Sequence, residues 1–381
     1  MVGLNSMENG QVFETRKSDH ISASMDPSVQ SGGSGFDRYS FLHEALPELN
    51  FEEVTLATKL FAHSPGELEV QSPFFISSMT AGHRGSLLMN ETLAVAAEKM
   101  GWAMGVGSQR RELHDLESSS EWKKVRKCAP RAILFGNIGL SQLIQVGPAN
   151  VLKLLDSLEA SALIVHLNPL QEALQIEGTP QFRGGLRALE ELASMMSTRF
   201  QKPLIVKETG CGISATTADK LFRAGVKVVD VAGRGGTHWG RVEGWRSRRR
   251  ASLEGLNKEG LNNVRSSQLA DAAESFRNWG LLTSDALKQV AHAAEVSSAQ
   301  YREVWASGGI RSGVDAAKAL KLGAKAVGLA QPILAAVLAG ESQLIQVMER
   351  YDYELKTTLF CCGSKDISSF VETATLIQDN A

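Results

Sequence analysis

The chain has 381 residues, with 40 Lys and Arg against 42 Asp and Glu and a formal net charge of -2. That balance excludes the global basic field of a nucleic-acid binder and the acidic excess of a disordered chain. The length exceeds an ordinary domain but suits an α/β barrel with extensions. Four cysteines, Cys128, Cys211 and the adjacent pair Cys361 and Cys362, match neither a zinc knuckle nor a disulfide framework, so reduced thiols are expected. The first residues carry no apolar signal region, and no stretch reaches the roughly 18 uninterrupted apolar residues of a membrane span. The expectation is a cytoplasmic enzyme with neither membrane nor nucleic-acid partners.

Taken in chain order, residues 1–14 are polar and read as disordered. An extension over residues 15–72 follows, and its "ETRKSDHIS" gathers Arg16, Lys17 and His20. A cationic lid over an anionic substrate and a plain charged tail are both open on composition. Further on, "RYSFLHEALPELNFEEV" is suited to packing across a subunit boundary.

From about residue 73, short apolar runs alternate with segments of helical period, as in a parallel sheet with crossover helices. Strands are predicted at Phe74–Ser78, Ala103–Gly107, Ala132–Asn137, Ala162–Leu167, Pro203–Glu208, Val228–Gly233, Val304–Gly309 and Ala326–Ala330. Each is followed by a helix-length segment, which suits a closed TIM (β/α)8 barrel over residues 73–358. An open doubly wound sheet usually shows a Gly-rich turn after its first strand, and none stands there. An insertion between strands six and seven, at about 246–278, holds "RSRRR", read as a solvated face that could also touch an anion. Residues 359–381 are left as a C-terminal tail.

Ligands of such barrels sit at the C-terminal strand ends, so those residues are read together. The fourth run ends in "HLNPLQEALQIEG", where His166, Asn168, Gln171 and Glu172 offer a base, two amides and a carboxylate. Helix capping alone would need one of them. Gly308 and Gly309 end strand seven before a helix start at Arg311, and Ala330 and Gln331 end strand eight. Together they form the usual phosphate cradle of this architecture, and "GRGGT" adds Thr237 from strand six. One phosphate there suits flavin mononucleotide (FMN) or a sugar phosphate. Lys207 favours the flavin, because its amine would enter the barrel mouth, where a cation stabilises the N1/O2 edge of the reduced ring. Asn137, Ser108 and Thr80, with Met79 beside it, could contact that ring, although each could equally form a turn.

The strings "RKSDH", "ALPELN", "MTAG", "GSQR", "GNIG", "HLNPLQE", "VKETGCGIS", "GRGGTHW", "WGLLT" and "ASGGIRSG" occur in that order, over about residues 15 to 340. In this the chain resembles the type 2 isopentenyl diphosphate isomerases. RKxDH combined with HLNxLQE is peculiar to that family, whereas SGGIRSG is shared with many flavin-binding barrels. The resemblance implies an FMN-dependent isopentenyl-diphosphate delta-isomerase that interconverts isopentenyl and dimethylallyl diphosphate for isoprenoid synthesis. It further implies flavin reduced by NAD(P)H, a requirement for Mg2+, and a homo-oligomer, tetramer or octamer.

Carried across by position, Arg16, Lys17 and His20 would hold the diphosphate, with Arg110, His166, Asn168 and Gln171 contributing. Glu172 would be the protein ligand to Mg2+, and Trp239 would lie beside the hydrocarbon. Met79, Thr80, Ser108, Asn137, Lys207, Thr237, Gly308, Gly309, Arg311, Ala330 and Gln331 would hold FMN. Gln171 is no acid, so proton transfer is assigned to the reduced flavin, with Gln171, His166 and Lys207 as the supporting catalytic set. Two departures stand out: Ala81 replaces a glycine of the usual MTGG, which would be strained at positive φ, and His238 replaces the Asn of GTNW. The alternatives are a flavin-dependent 2-hydroxy acid oxidase and a non-catalytic flavin-binding protein. The first lacks its usual His-Arg pair after strand seven, and the second would be expected to have lost Gln171, Glu172 or Lys207.

Overall fold

A computed structural model describes residues 15–81, 85–115, 118–255, 261–296 and 301–379. The expectation of disorder over 1–14 lies outside these residues.

Eight parallel strands close into a barrel: β1 (Phe74–Ile76), β2 (Ala103–Gly105), β3 (Ile133–Gly139), β4 (Ala162–His166), β5 (Leu204–Lys207), β6 (Val228–Asp230), β7 (Glu303–Ser307) and β8 (Ala326–Leu329). Each strand pairs with its sequence neighbour, and β8 closes on β1. The strands are buried almost throughout, as expected where helices cover the outside and side chains fill the inside. Phe75, Phe135, Ile164, Ile205 and Trp305 form that inner core. A hairpin of Thr58–Leu60 with Leu68–Val70 plugs the N-terminal end, where Phe61 stacks on Trp305 at 5.5 Å between ring centroids. Beneath it Glu303 accepts from the Trp305 indole (2.9 Å) and the Ala62 amide (3.0 Å), so the buried carboxylate is satisfied.

Register fixes the other rim. Gly139 is paired with His166, His166 with Lys207, and Lys207 with Asp230, which sets four consecutive strand ends in one row at the C-terminal mouth.

The terminal segments are more ordered than expected. Strand Tyr39–Phe41 pairs antiparallel with Leu376–Gln378, and Phe51 packs on Tyr353 and Phe360 at 5.5 and 5.7 Å. The stretch read as a subunit-boundary element therefore places its aromatic side chains against the chain's own C-terminal region, leaving Leu42 and Leu46 exposed. Helix Glu341–Cys361 runs through position 358, so barrel and expected tail share one element.

The insertion differs too. It begins at Trp239 and is a pair of helices, Trp239–Gly255 and Leu261–Ser275, packed on each other and on helix Pro169–Leu174. Only part of the basic run is a solvated face: the side chains of Arg248 and Arg249 are exposed, whereas Arg246 is enclosed. Arg246 bonds Glu243 at 2.5 Å and lies 3.3 Å from Glu177 and 3.9 Å from Asp19, while Arg249 reaches Asp19 at 3.2 Å. Helical spacing brings positions 246, 249 and 250 to one side, and besides Glu243 on the same helix the carboxylates they meet, Glu177 and Asp19, come from distant parts of the chain.

Candidate active site

The mouth holds two joined chambers. One is lined by Ser77 to Thr80 after β1, Gly236 and Thr237 after β6, Gly308 to Arg311 after β7, and Ala330, Gln331 and Leu334 after β8. The second is lined by Arg16, Lys17, Ser108, Arg110, Asn137, His166, Asn168, Gln171 and Glu172. His20, Ser78, Met79, Lys207, Thr209 and Trp239 border both. Every residue expected to bind cofactor, substrate or metal thus lines one chamber or the other.

The first chamber has the form of a phosphate and ring cradle. Gly308 and Gly309 have φ of 103° and 76°, and a Cβ on them would fall 2.2 Å from the Gly233 carbonyl oxygen and 2.4 Å from Gly235. Glycine is required there by both conformation and space. Helix Gln331–Ala339 begins with Pro at its first turn and has no side-chain cap, which leaves its amides open to an anion. The helix after β7 behaves differently from expectation. Ser312 caps it by accepting from the Asp315 amide (3.0 Å), and Asp315 accepts from the Arg311 amide (3.0 Å), so its N-terminus is closed. The GRGGT turn is also partly used: Gly235 donates to Ser31 Oγ at 2.9 Å. Around the rest of this cleft the buried hydroxyls of Ser77, Ser78 and Thr80, and across the border in the second chamber that of Ser108, have no hydrogen-bond partner among the described residues. Such groups call for a polar ligand, and the heteroatom-rich ring of FMN matches them. Ala81 is buried without positive φ, so the replacement of glycine there costs no backbone strain.

Lys207 extends from β5 into the shared border, and its Nζ donates to the Glu208 carbonyl at 2.7 Å. Burial lowers its pKa, while Asp230 and Glu208 favour the cation. Asp230, a polar residue inside the "VVDVAG" run, was not singled out by sequence. Ser307 Oγ donates to it at 2.8 Å.

The second chamber gathers cations around one lining carboxylate. Residues 15–25 form a helix that buries Arg16 and His20, while Ala23 joins Val29 and Val242 in a small apolar cluster. The charged-tail reading therefore gives way to a docked helix. Burial pushes the Lys17 amine down to about 8 against the pull of Glu243. His166 donates from Nδ1 to Asn137 Oδ1 (3.0 Å), leaving Nε2 as an acceptor, and burial followed by the Lys207 charge pushes its pKa down to about 3. It is a neutral ring at ordinary pH.

Gln171 is clamped at both ends: Oε1 accepts from Asn168 Nδ2 (3.0 Å) and Nε2 donates to Glu243 Oε1 (3.2 Å). Glu243 also accepts from His20 Nε2 at 2.8 Å. Sequence reasoning missed Glu243. Its one available signal was a position four after Trp239, which puts both on one helix face. Glu172 accepts from Asn168 Nδ2 (3.0 Å) and the Thr179 amide (2.7 Å), and Asn168 Oδ1 has no hydrogen-bond partner among the described residues. A single carboxylate beside an open amide oxygen suits Mg2+ that takes its other ligands from a substrate anion and water. No group of three His, Cys, Asp or Glu able to hold a metal by itself occurs among the described residues.

His238 is buried and away from the chambers' chemistry. Its Nδ1 accepts from the Arg241 amide (3.3 Å) at the third position of helix Trp239–Gly255, and its Nε2 donates to the Trp279 carbonyl (3.1 Å). It does what an Asn cap would do. Cys211 lies 3.8 Å from that Nε2, and burial raises its thiol pKa, which makes it unreactive.

A barrel with a phosphate cradle and unsatisfied polar groups at its C-terminal mouth defines a flavin-binding class, and the sequence profile of the FMN-dependent dehydrogenase family matches residues 175–377. Among solved structures, a lactate oxidase from Pediococcus acidilactici superposes with a TM-score of 0.66 at 16% identity, covering 98% of this chain and 95% of that one. A chimeric (S)-mandelate dehydrogenase gives 0.62 at 17% identity, covering 97% and 99%. These likenesses are of fold. Closer in sequence is an isopentenyl-diphosphate delta-isomerase of Bdellovibrio bacteriovorus, 45% identical over 94% of this chain and 96% of the relative. One from Legionella pneumophila strain Paris is 43% identical over 95% and 97%. The chain belongs to the isopentenyl-diphosphate delta-isomerase family, in its FMN-dependent form.

Proposed function

We infer that this chain is an FMN-dependent isomerase that interconverts isopentenyl and dimethylallyl diphosphate. The observation that carries the reading is the second chamber: a buried cation cluster adjoins the flavin chamber across Lys207, Met79 and Trp239, with Gln171 held in its wall by Asn168 and Glu243. Arg16, Lys17, His20 and Arg110 bind the diphosphate, and Glu172 contributes a carboxylate to Mg2+. Ser77, Ser78, Thr80 and Ser108 bond the flavin ring, and the Gly308, Gly309 and Gln331 rim takes its phosphate.

Moving the double bond adds a proton at C4 and removes one at C2, through positive character at C3 that water would intercept. Ile21, Met79, Trp239 and Leu334 give the cleft apolar walls, and Trp239 meets His20 edge to face at 5.0 Å, surroundings that disfavour water beside the alkene. Anchoring the diphosphate orients the alkene, the binding energy of the unreactive end holding the reactive one. Bound FMN, reduced by NAD(P)H, supplies the acid–base centre. Lys207 provides a cation for the reduced ring, with Asp230 and Glu208 favouring its charge. Gln171 and the neutral His166 position substrate and ring rather than ionise.

The four cysteines are free, which suits a reducing cytoplasm. No helix among the described residues is long and apolar enough to cross a membrane. Exposed Leu42, Leu46 and Tyr353 lie in the segments that join near the terminal ribbon and are proposed to pack against another copy in a tetramer or octamer. The activity is tested by anaerobic incubation of the protein with FMN, Mg2+, NADPH and isopentenyl diphosphate. Dimethylallyl diphosphate is expected to form with the flavin reduced and to be absent with it oxidised. Flavin binding without conversion under reduction would overturn the reading.

A further inference from the structure

Gln30 sits where three pieces of the active-site rim meet. Its Nε2 donates to the Ser24 carbonyl (3.1 Å) and to Thr237 Oγ1 (3.1 Å), while Oε1 accepts from Arg311 Nη2 (3.0 Å). Ser24 belongs to the last turn of the helix over 15–25, and its own Oγ donates to the His20 carbonyl at 2.7 Å. Thr237 and Arg311 line the flavin chamber. An amide has two N–H donors and one acceptor oxygen, so neither end of Gln30 can turn away without breaking a contact. The backbone holds it as well: residues 30 and 237 form an isolated antiparallel bridge, and the Gln30 carbonyl accepts from Arg241 Nη1 at 2.6 Å.

We propose that Gln30 is a positioning residue that couples occupancy of the FMN phosphate cradle to the placement of the helix carrying Arg16, Lys17 and His20. The inference rests on the reading of that helix as the diphosphate-binding lid. An anion in the cradle attracts Arg311 and Thr237, and Gln30 passes their displacement to the Ser24 carbonyl and so to the turn that bears His20. A diphosphate held by the helix acts back along the same contacts, and linkage makes the two effects equal. Ser31 supplies the comparison. Its Oγ donates to the Gly236 carbonyl (3.0 Å) and accepts from the Gly235 amide (2.9 Å), so it ties the same strap to the same turn through contacts that do not include the lid helix.

The test is equilibrium dialysis of the FMN-loaded full chain, with and without inorganic pyrophosphate and Mg2+, for wild type, Gln30→Ala and Ser31→Ala. Pyrophosphate is expected to tighten FMN binding about 10-fold in wild type and Ser31→Ala, and by no more than about 2-fold in Gln30→Ala. A merely structural role would weaken FMN in both variants and leave the ratio intact. If Gln30→Ala does not fold, Gln30→Glu is read in its place, since it keeps an acceptor for Arg311 and loses both donors. Equal tightening in the Gln30 variant and wild type overturns the proposal, as does pyrophosphate that binds wild type without tightening FMN. Labelled pyrophosphate in the same cells separates the two levels: if wild-type protein fails to bind it, the lid reading falls and the coupling falls with it.

Discussion

Gln171 and His166 project into the substrate chamber, and neither serves as its proton donor. The Gln171 amide is held between Asn168 and Glu243, and His166 stays neutral down to about 3 because its ring is buried beside Lys207. Lys17 is the diphosphate-chamber cation brought into the working range, near 8, while buried Glu208 behind Lys207 is raised to about 7. The free enzyme's kcat/KM reports groups ionising before substrate binds. A cationic Lys17 grips diphosphate, so kcat/KM is expected to be full below pH 8 and to fall as pH rises through it. Lys17→Arg should remove that alkaline limb, since a guanidinium remains charged. His166→Gln should lower kcat about 10-fold, the equivalent of one hydrogen bond of about 1.4 kcal/mol, without changing the profile's shape. A limb that moves with His166 would contradict its assignment as a neutral positioning group.

At the scale of elements, the insertion helix Trp239–Gly255 does more than fill a gap between strands. Its first turns carry Trp239, Glu243 and Arg246, and through them it meets Gln171, His20, Glu177 and Asp19. Its start depends on His238, whose Nδ1 caps the third helical amide. His238→Asn is expected to keep the cap and lose the bond to the Trp279 carbonyl, costing about 1 kcal/mol in chemical denaturation. His238→Ala should cost about 1 kcal/mol for the cap alone, and more because the Trp279 carbonyl loses its donor. Equal losses in the two variants would show that the ring's packing, not its acceptor, is what matters. That role was hidden in the sequence, where His238 looked only like a departure from a motif: a cap is recognised by the amide it meets, and the amide's position depends on where the helix begins.

The molecule as a whole is a barrel sealed at one end and open at the other. The hairpin and Trp305 close the N-terminal end, while helix Glu341–Cys361 crosses the outside and brings Asp352 to Ser72 Oγ (2.6 Å) and Trp102 Nε1 (3.1 Å). Burial raises the Asp352 pKa from 3.8 to about 6. A carboxyl whose folded pKa lies above its unfolded one contributes stability that is complete below the unfolded value and lost as pH rises through the folded value. At about 1.4 kcal/mol per pKa unit, Asp352→Asn should gain roughly 2 to 3 kcal/mol on wild type by pH 8 and almost nothing at pH 4. Thermal midpoints of the two proteins across that range check it. A constant difference would mean that the carboxyl keeps an ordinary pKa.

The sequence by itself pointed to the barrel: eight apolar runs separated by helical segments call for a parallel sheet covered on both faces, and the missing Gly-rich turn after the first run favoured the closed form over an open doubly wound one. It also marked the chamber residues, since side chains that end those strands must share one rim and "HLNPLQE" carries more polar groups than a helix cap can use. Tertiary structure decided which of those groups remain available. The turn after β7 looked like an open helix N-terminus, yet Ser312 and Asp315 close it, and the helix after β8 is the one without a side-chain cap. The "RSRRR" run looked solvated, yet Arg246 is enclosed by Glu243, Glu177 and Asp19. Glu243 joins His20, 223 residues away, to Gln171, 72 residues away, and no local pattern encodes that meeting. Periodicity is a short-range property, so it specifies elements and their faces. Charge pairing, tautomers and open amides are set by neighbours in space, and these exist only once the barrel has closed.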